Sequence, residues 1–215
     1  ILFCFIFIIF SCEKKSLMFS NVTYIDESRP KSQIILGFSQ IGTESSWRIR
    51  NTKSIMNAAK EHGIQVVYDD AHQKQVNQLK AIRRFIVYQV DVIAFAPVVE
   101  DGWDNVLQEA KDARIPVIIV DRKIKTKNPD LYAGFIGEDS YSEGKKAAEF
   151  LLEKYENQNK KLKILEIKGT SNSSVAKERS RGFRDVINKD NRFEIIYSED
   201  GDFLRSRGKE IINKI

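Results

Sequence analysis

The sequence predicts an α/β protein of two doubly wound parallel-sheet units, the second incomplete. Three observations carry this expectation. Short apolar runs recur along the chain, each bounded by Gly, Pro or polar residues. Segments of helical period lie between them. Each run is joined to the next by a stretch long enough for a crossover helix, as parallel neighbours require.

The first run, Ile34-Ile35-Leu36-Gly37-Phe38, predicts a buried strand. Residues 49–62 predict a helix stopped by Gly63, with Ile55, Ala58 and Ala59 on one face. Residues 64–68 predict a strand. Residues 73–88 predict a helix with Val76, Leu79, Ile82, Arg83 and Ile86 at helical spacing. Residues 92–96 predict a strand ended by Pro97, then 103–113 a helix and 116–120 a strand. These four strands are expected to be apolar on both faces, as parallel strands covered by helices are. Past a polar loop the rhythm resumes: strand 132–136, helix 143–154, strand 162–167, helix 174–187, strand 193–197 and helix 203–214. The chain stops at Ile215 inside that helix, so the second unit is expected to continue in a longer protein.

Composition narrows the function classes. The 215 residues carry 35 Lys+Arg against 30 Asp+Glu, a net charge of +5, and are 42% hydrophobic, which excludes bulk disorder. Two Cys exclude a disulfide scaffold and a Cys4 zinc site, and two His outside any ligand spacing argue against a metal centre. The basic excess is spread along the chain without an aromatic-interleaved stripe, which argues against nucleic acid.

Residues 1–10, ILFCFIFIIF, have the length of a signal-peptide apolar core and are too short to span a bilayer. The first residue is Ile, so the sequence is expected to begin inside a longer reading frame. Ser11-Cys12 then resembles a bacterial lipobox, in which Cys12 is lipidated; Phe10 is bulkier than that pattern prefers. Residues 1–12 are thus expected to be a signal and lipobox remnant, and 13–31 a polar tether to a membrane.

In open parallel sheets ligands bind beyond the carboxyl ends of strands. The predicted strands run out into Ser39 to Arg48, Asp69-Asp70, Pro97, Asp121-Arg122 and Gly169 to Asn172, with Arg179 near the start of the next helix. Carboxylates and guanidinium forks hold hydroxyls, and an aromatic face suits the C–H side of a ring, so this rim suits a polyol. Trp47 reads either as core or as such a platform, and Asp121-Arg122 either as a site or as a solvated ion pair. Enzyme and cofactor motifs are missing. Gly37 to Gly42 has the outer spacing of a phosphate loop, but Thr43-Glu44 stand where Lys-Ser/Thr is needed. Neither G-x-G-x-x-G nor G-x-S-x-G occurs after a strand.

The runs GFSQIGTESSWR (37–48), DDAHQKQVNQLKAIRRF (69–85), APVVEDGW (96–103), EAKDARIPVIIVDR (109–122), KERSRGF (177–183) and GDFLRSRGKE (201–210) together resemble periplasmic sugar-binding proteins of the ribose/galactose type, the type 1 periplasmic binding proteins. Within them the likeness is greatest to galactofuranose-binding proteins of ABC importers. The S-Q-x-G-x-E-S-x-W-R pattern is the specific one; the strand end IPVIIVDR is shared with other sugar binders and repressor sensor domains. The resemblance implies an N-terminal sugar-binding lobe over 32–136 and an incomplete C-terminal lobe over 137–215. It places Trp47 as a stacking aromatic, Ser39, Glu44 and Arg48 near the sugar, and Asp121 and Arg122 on ring and hydroxyl oxygens. Asp139 falls beside a hinge and Arg179 reaches across from the second lobe. Asp70, Gln73, Thr170 and Ser174 are weaker candidates. It further implies a monomer that closes on a monosaccharide, docks on an ABC permease and needs neither cofactor nor metal. It also implies a periplasmic or cell-envelope location, and no catalysis. The competing expectation is an extracytoplasmic sugar-sensor domain of a signalling protein.

Overall fold

The computed structural model describes residues 33–215. The expected lipobox with Cys12 and the expected tether over 13–31 lie outside the described residues. Strands and helices alternate as β1 (Ile35–Gln40), α1 (Ser46–Glu61), β2 (Gln65–Asp70), α2 (Gln75–Val87), β3 (Val92–Phe95), α3 (Asp104–Asp112), β4 (Val117–Val120), β5 (Gly134–Ile136), α4 (Ser140–Lys154), β6 (Leu162–Lys168), α5 (Ser174–Ile187), β7 (Phe193–Asp200) and α6 (Arg205–Lys214). A single 3-10 turn, Pro129–Leu131, precedes β5.

β1 to β5 form one sheet in the order β2-β1-β3-β4-β5, and β6 pairs with β7 in a second sheet. Every pairing is parallel. The chain leaves β1 to one side for β2 and returns to the other for β3, so a switch point lies between β1 and β3. The crevice of such a sheet opens there, at the carboxyl ends.

The core of the first sheet is built from Ile35, Phe85, Ile93, Phe95, Trp103, Leu107 and Ile119, all buried. Trp103 packs on Phe95 with ring centres 4.7 Å apart. β1, β3 and β4 are the buried strands that the apolar runs predict. β2 departs from the expectation of two apolar faces: it is the sheet edge, and only Val67 is buried. The buried face of α2 also lies elsewhere than predicted. It is Gln78, Ala81, Ile82 and Phe85, with Val76 exposed, because a polar side chain occupies one inward position.

Several boundaries move for local reasons. α1 begins at Ser46 rather than 49, because the Ser45 hydroxyl caps it by accepting from Arg48 N at 3.1 Å. α2 begins at Gln75 rather than 73, since His72 and Gln73 have φ of 48° and 60°, outside the helical region. α4 begins at Ser140 rather than 143, capped by Asp139 Oδ1 accepting from Ser142 N at 3.0 Å. β5 starts at Gly134 rather than 132 because the 3-10 turn delays it. β7 runs on to Asp200, and α6 starts at Arg205 because Asp202 and Phe203 lie at positive φ.

In the second sheet α4 and α5 pack at backbone distance. A Cβ added to Gly144 would sit 2.0 Å from Arg179 O, and one on Gly182 2.1 Å from Tyr141 O. The absence of a side chain at both points is what brings α5 against α4. Glu166 on β6 then anchors α5. It accepts from Arg184 Nη1 and Nη2 at 2.7 and 2.6 Å, from Ser180 Oγ at 2.8 Å and from Ser198 Oγ of β7 at 2.6 Å. Burial by itself raises its pKa, but the hydrogen bonds from Arg184, Ser198 and Ser180 outweigh that and bring it down to about 2. A carboxylate depressed on folding contributes stability above its ordinary value of 4.5, and that contribution is lost as pH falls from there toward 2. In urea titrations from pH 7 to pH 2, Glu166→Gln is expected to lower the midpoint at neutral pH and to flatten its fall below pH 4.5. An acid limb as steep as that of the parent chain would show that Glu166 is not a major acid-labile group.

Candidate functional site

Two strand ends, those of β1 and β4, converge above the first sheet. The loop after β1 leads to the first turn of α1, which carries Trp47 and Arg48. β4 ends in a three-residue turn in which Arg122 N donates to Val120 O at 2.7 Å, with Asp121 at φ 67°. Consecutive side chains of an extended strand point to opposite faces. The turn is what lets adjacent Asp121 and Arg122 line one cavity. A non-glycine residue at positive φ costs on the order of 1–3 kcal/mol, and Asp is among the residues that tolerate it.

The cavity measures about 200 Å³ and is lined by Glu44, Ser45, Trp47, Arg48, Asp121 and Arg122 from the first sheet, and by Val175, Arg179 and Phe203 from the second. That is the share of roughly six or seven waters at about 30 Å³ each, the scale of one small ring. A second chamber of about 250 Å³ shares Glu44 and Arg122 with it and adds Ile41, Gln73, Val98, Thr170, Asp202 and Leu204.

Charge organises the wall. Arg48 Nη1 lies 2.9 Å from Asp121 Oδ2 and Arg48 Nε 3.5 Å from Glu44 Oε1. Both are charge contacts without the alignment of a hydrogen bond. Glu44 Oε2, Arg48 Nε and Nη1, and Asp121 Oδ2 are therefore buried with hydrogen-bonding capacity unused. Such a group costs about 1–3 kcal/mol unless something meets it. Arg122, 3% exposed, donates from Nη1 to Val98 O at 3.1 Å, and its guanidinium lies 4.8 Å from the centre of the Phe203 ring. Burial first, then the neighbouring Arg48, pushes the pKa of Arg122 down to about 10. Trp47 is 52% exposed and sits beside the Arg48 guanidinium at 4.7 Å. It lines the cavity and lies outside the core.

Of the expected site residues, Glu44, Trp47, Arg48, Asp121, Arg122 and Arg179 are brought together. Arg179 Nε also donates to Glu143 Oε2 at 2.7 Å. Gln73 and Thr170 face the second chamber. Ser39 is fully buried at the end of β1 with its hydroxyl unpartnered, and lines neither chamber. Asp70 is corrected: it is the last residue of β2, facing neither chamber, and its Oδ1 accepts from His72 N at 2.8 Å to form a turn. Asp139 is corrected too: it caps α4 and borders a small crevice beside the chamber, not the chamber itself. Ser174 Oγ accepts from Lys123 N at 2.8 Å, a strap between the two sheets. Phe203 and Val175 were not expected. The signal for Phe203 was available, since it comes after the carboxyl end of a parallel strand as the other site residues do.

A larger cavity, about 860 Å³, lies over β6 between α4 and α5. Its inner polar wall groups Glu166, Lys168 and Arg179 already pair with Arg184, Asp200 and Glu143, while Arg205 stands exposed at its rim.

Residues 36–215 match the periplasmic binding protein domain family. The chain belongs to that family. The galactofuranose-binding protein YtfQ of Escherichia coli (strain K12) is 42% identical over 179 residues, covering 83% of this chain and 56% of that protein. A solved structure from Mycobacterium smegmatis in complex with β-D-fucofuranose is 44% identical with a TM-score of 0.82, covering 84% of this chain and 60% of that one. The periplasmic binding protein component of the arabinose ABC transporter from Shewanella sp. ANA-3, bound to α- and β-L-arabinofuranose, is 42% identical with a TM-score of 0.81, covering 84% and 59%. The chain thus spans little more than half the length of these relatives. The type 1 architecture expected from the sequence is the one observed.

Arg48 stands between the buried carboxylate of Glu44 and the largely buried one of Asp121. Arg48→Met is expected to lower unfolding free energy in urea by about 3–5 kcal/mol, since Asp121 and Glu44 lose their nearest counter-charge. A loss under about 1 kcal/mol, the range of surface pairs, would mean that the two carboxylates do not depend on Arg48.

Proposed function

We propose that this chain is the ligand-capturing part of the substrate-binding protein of an ABC importer, and that its cargo is a neutral monosaccharide in furanose form. The observation that carries the reading is the set of buried, unused polar atoms on Glu44, Arg48 and Asp121 around a ring-sized cavity. A ring bearing hydroxyls meets both kinds of group, since each hydroxyl donates and accepts. Trp47 and Phe203 offer flat apolar faces to its C–H edges. The charges on the wall balance: Arg48 and Arg122 face Glu44 and Asp121, while Arg179 is taken by Glu143. A charged sugar acid or phosphate would upset that balance. The furanose preference rests on the three relatives, whose ligands are galactofuranose, fucofuranose and arabinofuranose.

The mechanism in this reading is hinge closure of two lobes, 32–136 and 137–215. Sugar held by Arg48, Asp121 and Arg122 draws in Arg179, Val175 and Phe203. Contacts between the sheets support it: Glu100 N donates to Asn172 O at 2.9 Å, Lys123 N to Ser174 Oγ, and Lys177 pairs with Glu100. Ligand binding then sets the open–closed population that a permease reads. Bond-making chemistry has no part in this. Lipidation at Cys12 would hold the protein at the cell envelope; its support is the sequence pattern alone.

A thermal-shift screen of the full-length protein against furanose and pyranose monosaccharides tests the proposal. Arabinofuranose or galactofuranose is expected to raise the melting temperature, because ligand at 100 times its Kd adds about 2.7 kcal/mol to the folded state. Arg122→Ala is expected to weaken that sugar by about 2 kcal/mol or more in calorimetry. Absence of any shift from folded protein would overturn the sugar reading, and unchanged affinity would remove Arg122 from the site.

A further inference from the structure

The end of β3 presents a backbone problem. Beyond Phe95 the pairing with β4 stops, so the polar groups of Ala96, Pro97 and Val98 lose their sheet partner although all three residues are buried. Pro97 has no N–H to offer. Ala96 N reaches back to Ser39 O at 3.2 Å; Ala96 O and Val98 N are among the groups still to be met.

One side chain meets both. Gln78 of α2 is fully buried (0% exposed). Its Nε2 donates to Ala96 O at 2.6 Å, and its Oε1 accepts from Val98 N at 2.9 Å. A primary amide carries both a donor and an acceptor, the two kinds of group that a neighbouring strand would have supplied. Gln78 thus acts as a one-residue extension of the sheet. The segment it holds ends at Val98, whose carbonyl accepts from Arg122 Nη1. The charge partner of Arg122, Asp121 Oδ2, is farther away at 3.8 Å. The direction of the Arg122 fork is therefore set by where Val98 O stands, and that carbonyl is set by Gln78.

We propose that Gln78 is a positioning residue for ligand binding: through Ala96 and Val98 it fixes the Arg122 guanidinium against the cavity. This rests on the sugar-binding reading for its affinity readout, but the placement of Arg122 is testable without any ligand.

The experiment uses the full-length protein and Gln78→Met, which keeps the shape and removes both hydrogen bonds. Leu107→Ala, a core truncation remote from the cavity wall, is the control for loss of stability. Without sugar, the guanidinium resonances of Arg122 are followed by 15N NMR. They are expected to show restricted rotation in the parent and in Leu107→Ala, and free rotation in Gln78→Met. With arabinofuranose as the probe, Gln78→Met is expected to weaken binding about tenfold in the parent, and under about twofold in an Arg122→Lys background. A purely structural role would give equal losses in both backgrounds. Should Gln78→Met fail to fold, Gln78→Glu serves: its carboxylate still accepts from Val98 N but cannot donate to Ala96 O, and partial freeing of Arg122 is expected. Unchanged Arg122 resonances, or equal losses in the two backgrounds, would overturn the proposal. If the parent binds no sugar, the sugar reading fails, and the resonances alone still decide whether Gln78 places Arg122.

Discussion

The contact between Arg48 and Asp121 is the constraint on which the cavity depends. Each group is largely removed from water, and each would be costly alone. Together they tie the first turn of α1 to the end of β4, two strands away from β1 across the sheet. Glu44 and Arg122 are then held on either side of that pair. The pair is in contact without being saturated by hydrogen bonds. A fully satisfied network would close the surface to a ligand. This one keeps donors and acceptors unsatisfied within the cavity wall.

The second sheet contributes the opposite wall through a chain of fixed parts. Close approach at Gly144 and Gly182 sets α5 against α4, and the Glu166 carboxylate locks α5 to β6 and β7. α5 delivers Val175 and Arg179, while the turn after β7 delivers Phe203. Ser174 and Lys177 then meet Lys123 and Glu100 across the gap. These two crossings are a single hydrogen bond and a partly exposed ion pair, each of modest strength. Such an interface suits a population that a ligand can shift.

Much of this was legible in the residues. Apolar runs located β1, β3 and β4, and the carboxyl-end rule pointed to Glu44, Trp47, Arg48, Asp121 and Arg122. Helix starts were less legible, because caps at Ser45 and Asp139 are short polar residues that also suit loops. Asp70 was misplaced by the same rule that found Asp121. Both come at the ends of apolar strands, but β2 is the edge strand and its end lies away from the switch point. Phe203 follows a strand end as the rule requires, but the predicted helix over 203–214 took it in; the left-handed backbone at Asp202 and Phe203 delays that helix.

The sequence by itself determined the alternation of strand and helix, the parallel pairing, and the kinds of side chain at the strand ends. These arise from local periodicity and from the length of each crossover, which every segment carries within itself. Only the tertiary structure decided which strand ends meet, that Asp121 and Arg122 point the same way, and that a glutamine near the start of α2 holds the backbone behind Arg122. Those outcomes depend on strand order, on a single backbone turn and on partners twenty or more residues apart. None of these leaves a periodic trace in the chain.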